Sequence, residues 1–113
     1  MEKQIEKLIE NIIQDYKNFL YGSRYNNWPS AIDHRNQQYD RFIKGVRVVD
    51  GKKYVKIITE GGGVWGFINK GNDKFRVGDI LKAASWAAPA LNKARGNILD
   101  GDYEIRWTGP LCL

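Results

Sequence analysis

The residues best equipped for chemistry lie between Lys82 and Asn97, where Trp86 sits among small residues and is followed by Lys93, Arg95 and Asn97. Small side chains let a ligand or another backbone come close. Arginine offers a planar fork of donors that matches phosphate, and an indole offers a stacking surface. The competing account of the same residues is a packed tryptophan beside a solvated basic turn. Aromatic and basic types recur together elsewhere, at Arg47 with Tyr54, at Trp65, and at Arg106 beside Trp107. The candidate ligand contacts are therefore Arg47, Tyr54, Trp65, Lys82, Trp86, Lys93, Arg95, Asn97 and Arg106.

Other chemistries find less support. Gly61, Gly63 and Gly66 spell G-x-G-x-x-G, but a dinucleotide fingerprint must follow a strand and open a helix. Here strand-forming residues come after it, so a hairpin tip is the expectation. No Lys-Ser or Lys-Thr pair follows a glycine cluster. Zinc sites need several Cys or His ligands, and the chain holds one of each, Cys112 and His34. His34 reads as a surface residue, and Cys112 lies in an apolar tail. Asp100 and Asp102 flank Gly101 as in a turn. No catalytic residue, metal or cofactor is expected, and the chain reads as a binding protein, not an enzyme.

The charge agrees with an anionic partner. The 113 residues carry a formal net charge of +5, with four Trp, six Tyr and four Phe. Residues 1–21 hold three lysines against four acids, whereas residues 22–113 hold fifteen basic residues against nine acids. The positive surplus thus belongs to the part after the first helix. A single cysteine fits a reducing compartment. No apolar run approaches the roughly 18 residues of a membrane span, and Met1-Glu2-Lys3-Gln4 opens no signal-peptide core. The expectation is an intracellular protein with no membrane partner.

The elements that must position these residues follow from periodicity. Ile5, Leu8, Ile9, Ile12, Ile13, Tyr16, Phe19 and Leu20 form one helical stripe, which predicts an amphipathic helix over 3–21 ended by Gly22. Packing on a sheet is the plain expectation for it, and a helix-mediated homo-oligomer is the alternative. A loop covers 22–30, and a short polar helix runs from Ser30 toward Phe42. Residues 43–49 and 52–60 read as strands joined by a two-residue turn at Asp50-Gly51, which sets Val48 against Lys53, Val46 against Val55 and Lys44 against Ile57 on the face expected to pack on the first helix. One sheet face is then apolar. The other carries Arg47, Tyr54 and Lys56. Val64–Lys70, Phe75–Leu81 and Tyr103–Trp107 read as further strands, with turns at Gly71-Asn72-Asp73 and Gly78-Asp79. Pro89 starts a short helix near 89–95. The expected fold is α+β: one domain over 1–113, with the N-terminal helix packed on a small antiparallel sheet of three to five strands within a β-rich basic part over 43–113.

Five runs carry a resemblance: Val64-Trp65-Gly66-Phe67-Ile68, Gly78-Asp79-Ile80-Leu81-Lys82-Ala83-Ala84-Ser85-Trp86, Ala88-Pro89-Ala90, Ala94-Arg95-Gly96-Asn97-Ile98 and Trp107-Thr108-Gly109-Pro110-Leu111. Over residues 46–113 the chain resembles small, largely uncharacterised proteins encoded by bacteriophages. The resemblance does not extend to the N-terminal helix. It implies action in the cytoplasm of an infected bacterial host, and it implies no activity and no catalytic residue. Phages encode small basic oligomers that sequester the cyclic nucleotides or ADP-ribose derivatives of bacterial immunity, and this chain is similar to them in kind. The first expectation is a sponge for a nucleotide-like anion. A nucleic-acid-binding module and an inhibitor of a host protein stand beside it.

Overall fold

The computed structural model describes residues 1–22, 29–59, 63–71 and 74–110. The loop expected over 22–30, the glycine run 61–63, the turn 71–73 and Cys112 fall wholly or partly outside the described residues.

Helix α1 (Glu2–Tyr21) buries Leu8, Ile12, Tyr16 and Leu20, a row spaced four apart, and the Gly22 N–H closes it on the Asn18 carbonyl. Helix α2 (Pro29–Gly45) runs further than its sparse apolar residues predict. Tertiary packing accounts for it. Phe42, 1% exposed, stacks on Tyr16 at 4.0 Å between ring centroids, and Trp107 meets both rings edge-on. Aromatic contacts of this kind add to area burial and hold a helix that propensity alone would leave marginal.

The main sheet is antiparallel, in the order β1 (Arg47–Asp50), β2 (Tyr54–Ile58), β3 (Val64–Asn69), β4 (Ile80–Leu81). Val55, Ile57, Ile68 and Ile80 share the core with the α1 row. Residues of opposite parity, Lys56, Ile58, Phe67 and Leu81, form the outer face. The fold is α+β, with a four-stranded principal sheet and two small two-stranded sheets, β5 (Gly96–Asn97) with β6 (Asp102–Tyr103) and β7 (Ile105–Arg106) with β8 (Gly109–Pro110).

Four details differ from expectation. First, Val48 faces Ile57 and Asp50 faces Val55, and the Gly51 N–H donates to the Tyr54 carbonyl. The turn is therefore Lys52-Lys53, not Asp50-Gly51. The expected register would have set Lys53 and Lys44 on the helix-facing side; the observed one carries Lys53 to the tip and leaves Lys44 in α2. Because the slip is even, each side chain keeps its face. Second, residues 89–95 contain no helix. Ala83 and Pro89 form a bridge, and the N–H groups of Ala90 and Arg95 donate to Lys82 and Ile80, so they are unavailable for helical bonds. Third, the strand expected over 75–81 shrinks to Ile80–Leu81. Side-chain amides take the carbonyls: Asn69 Nδ2 donates to Phe75 and Arg76, and Asn97 Nδ2 to Val77. Such bonds compete with a ladder. Fourth, the last strand divides at Glu104, with Tyr103 paired to Gly96 and Ile105 to Pro110.

Candidate functional site

The hairpin of β1 and β2 raises a hollow of about 170 Å3 on the outer face, lined by Val49, Gly51, Lys52, Lys53, Tyr54, Lys56, Phe67 and Ala87. Three of these residues are lysines and none is an acid. Lys56 comes from β2, which is paired on both sides. Its ammonium stands 4.5 Å from the centre of the Trp86 ring and 5.9 Å from that of Phe67. Tyr54 meets Phe67 edge-on at 5.9 Å. Lys70 fixes the hairpin: its ammonium donates to Asp50 at 2.6 Å and to the Gly51 carbonyl at 2.8 Å, and its N–H bonds the Lys53 carbonyl. Lys52 and Lys53 are thereby presented at a held tip.

Ala87 lines the hollow, and its neighbour Trp86 meets Lys56, from a loop closed on itself. The Ala90 N–H donates to Lys82, and the N–H groups of Ala84 and Ser85 converge on the Ala88 carbonyl. Trp86 is 56% exposed, while Phe67 is buried. Arg47 lies on the same outer face, opposite Ile58. The run from Gly51 to Arg47 makes the face a strip roughly 13 Å long at ~3.3 Å per residue.

The structure thus sets Tyr54 in the hollow and Trp86 against Lys56, and keeps Arg47 on the same sheet face. It separates the others. Trp65 is the residue left unopposed where the β2–β3 pairing shifts between Ile57 and Ile58. It joins the core, 2% exposed, with its indole N–H on the Arg106 carbonyl at 2.8 Å. A bulge re-aims a side chain in this way, and Trp65 offers no free face for stacking. The Arg106 guanidinium is exposed and lies 3.8 Å from Asp15 of α1. Lys82 and Lys93 are exposed on the irregular segment beyond β4 and do not line the hollow. Arg95 does not line it either; its Nε is buried without a hydrogen-bond partner.

Asn97 has a structural role. It is 3% exposed; its amide donates to Val77 and to Asp79 Oδ1, and its oxygen accepts from the N–H groups of Leu99 and Asp100. Arg76 closes the outside of this knot on Asp100 at 2.8 Å, which raises the guanidinium pKa above its usual value. Gly96, at φ +129°, packs against Tyr103 and admits no side chain. Asn97→Ala should cost about 2–4 kcal/mol, since several buried groups lose partners together. Urea unfolding would measure it; a loss below about 1 kcal/mol would mean the knot is dispensable.

The sequence does not single out Lys52, Lys53, Phe67 or Ala87 as contacts, and it places Lys56 with Arg47 and Tyr54 on a basic face able to track a nucleic-acid backbone. The available signal was the Lys52-Lys53 pair, which belongs at a turn instead of inside a half-buried strand. A larger groove of about 580 Å3 runs between the start of α1 and the sheet. Its floor is Met1, Ile5, Ile9 and Val55, its rim carries Glu2, Glu6 and Asp50, and its one lysine, Lys70, is the one bound to Asp50. That chemistry does not favour an anion. His34 is exposed on α2, 3.0 Å from Gln38. Among the described residues no three His, Cys, Asp or Glu residues gather as for a metal, and no helix is long and apolar enough to cross a membrane.

The model of a family of unknown function, DUF7717, matches residues 1–108. The matched span includes α1, which the resemblance over 46–113 left out. No curated protein and no solved structure matches the chain.

Proposed function

We propose that this chain, which belongs to the DUF7717 family, is a binding module for single-stranded nucleic acid that uses the outer face of its main sheet. The observation that carries the reading is the hollow lined by Lys52, Lys53, Lys56 and Tyr54, with the Lys56 ammonium 4.5 Å from the ring of the exposed Trp86. Lysines neutralise phosphates, and an accessible indole stacks any base. A strip that continues to Arg47 suits a polymer.

The first expectation, sequestration of a free nucleotide-like signal, asks more of the site. Pockets that enclose small ligands run to about 300–1,000 Å3, and this hollow has about 170 Å3. One subunit would leave such a ligand largely in water, so a sponge would need a second subunit to close the recess. The resemblance to bacteriophage proteins supports reading the infected bacterial cytoplasm as the place of action.

Fluorescence anisotropy with a labelled oligothymidylate across a salt series tests the proposal. Contacts by three or four cations predict a log–log slope of about −2 to −3, at about −0.7 per phosphate contacted. Absence of binding at low salt would overturn it. Tighter binding of a mononucleotide, with little salt dependence, would favour sequestration instead.

A further inference from the structure

We infer that Lys56 is a displaceable plug on the stacking surface, so that the site admits a base only when a phosphate on the same ligand draws the ammonium away. This inference rests on the proposed reading of the outer face and adds the class of ligand it accepts. The Lys56 ammonium stands 4.5 Å from the centre of the Trp86 ring, over the surface a base would use. The parts around it are fixed. Strand β2 is paired on both sides, and the Trp86 loop is closed by its own hydrogen bonds and by the Ala83–Pro89 bridge. The mobile part is the four-carbon lysine stem, which swings without moving any backbone.

The neighbouring charges set the direction of that swing. Lys52 and Lys53 line the same hollow with no acid among its lining residues. With no anion present, their repulsion favours the Lys56 ammonium on the indole, where the ring's quadrupole attracts it. A phosphate set among the three lysines reverses the preference, and the indole becomes free for the adjacent base. A nucleoside lacks the anion that moves the plug, and inorganic phosphate lacks the base that takes its place. The accepted unit is therefore a nucleotide, alone or within a strand.

The test titrates Trp86 fluorescence, with the Trp86→Phe variant subtracted to remove the other tryptophans. The probes are adenosine, adenosine monophosphate, inorganic phosphate and an oligoadenylate, the last separating a free nucleotide from a strand. The wild-type chain is expected to prefer the monophosphate over adenosine by at least about tenfold. Lys56→Met is expected to close that gap from both sides, with adenosine gaining about tenfold as the competing cation leaves the ring. Equal binding of adenosine and its monophosphate by the wild type would overturn the plug without any variant. Weaker monophosphate binding in Lys56→Met with no gain for adenosine would also overturn it, reducing Lys56 to an ordinary phosphate contact and leaving the proposed function standing. Failure of the wild type to bind either the monophosphate or the oligoadenylate would end both.

Discussion

Ile12→Asp is expected to remove the cooperative unfolding transition or to lower its midpoint by roughly 15 °C or more. Ile12 is fully buried within the cluster that joins α1 to Val55, Ile57, Ile68 and Ile80. Burying such a side chain contributes about 1.5–3 kcal/mol, and a carboxyl put in its place brings a desolvation cost of several kcal/mol more. The sum is comparable with the whole stability of an ordinary domain, about 5–15 kcal/mol. Circular dichroism on heating, together with light scattering, distinguishes the two accounts of the α1 stripe. A helix that served chiefly as an oligomer contact would dissociate with its fold intact. The core position predicts loss of the fold itself. Phe19 supplies the control: it belongs to the same stripe by spacing, yet it is 58% exposed and meets Tyr16 and Trp107 in tilted contacts. Phe19→Ser should cost about 1 kcal/mol. A melting temperature for Ile12→Asp within a few degrees of the wild type would show that α1 does not organise the core.

Elements set by a long regular period were legible in the residues; elements set by competition between hydrogen bonds were not. The α1 stripe repeats over about four turns, and the helix appears where it predicts. The strand-forming residues over 52–60 and 64–70 likewise yield β2 and β3, each shorter than its run. The hairpin turn was misplaced because Asp-Gly is a strong local signal, and the cost of burying Lys53 and Lys44 on the helix side outweighed it. Residues 75–79 have a strand's composition, but the amides of Asn69 and Asn97 reach their carbonyls first, from six and twenty positions away. No local pattern encodes the second of those reaches. The site behaved in the same way. Basic and aromatic types on one sheet face were visible in Arg47, Tyr54 and Lys56. Trp65 and Asn97 carry equally suitable chemistry, and the fold uses them internally, one at a bulge and one at the end of β5. Lys52 and Lys53 became contacts only once the turn moved onto them.

That displacement underlies the strongest functional prediction, the combined replacement Lys52→Gln, Lys53→Gln and Lys56→Gln. Each lysine is expected to contribute about 1 kcal/mol to an oligonucleotide complex, less than the roughly 1.5–3 kcal/mol of hydrogen bonds to charged groups because these ammoniums also face water. Together they amount to a loss of about 100-fold, at one decade per 1.4 kcal/mol. The salt slope should fall by about 2, since three phosphate contacts disappear. Stability should remain within about 0.5 kcal/mol at each of the exposed Lys52 and Lys53 and within about 1 kcal/mol at the half-buried Lys56, which loses its ring contacts, so that binding and folding separate. Net charge alone offers a rival explanation, and the three lysines of α1, Lys3, Lys7 and Lys17, dispose of it. Replacing them by glutamine removes the same charge from a helix whose buried row faces the opposite side of the sheet. A localised site predicts that this control keeps most of the affinity and the slope. If both triple variants weaken binding equally, the attraction is a property of the whole charge distribution, and the outer face has no special claim on the ligand.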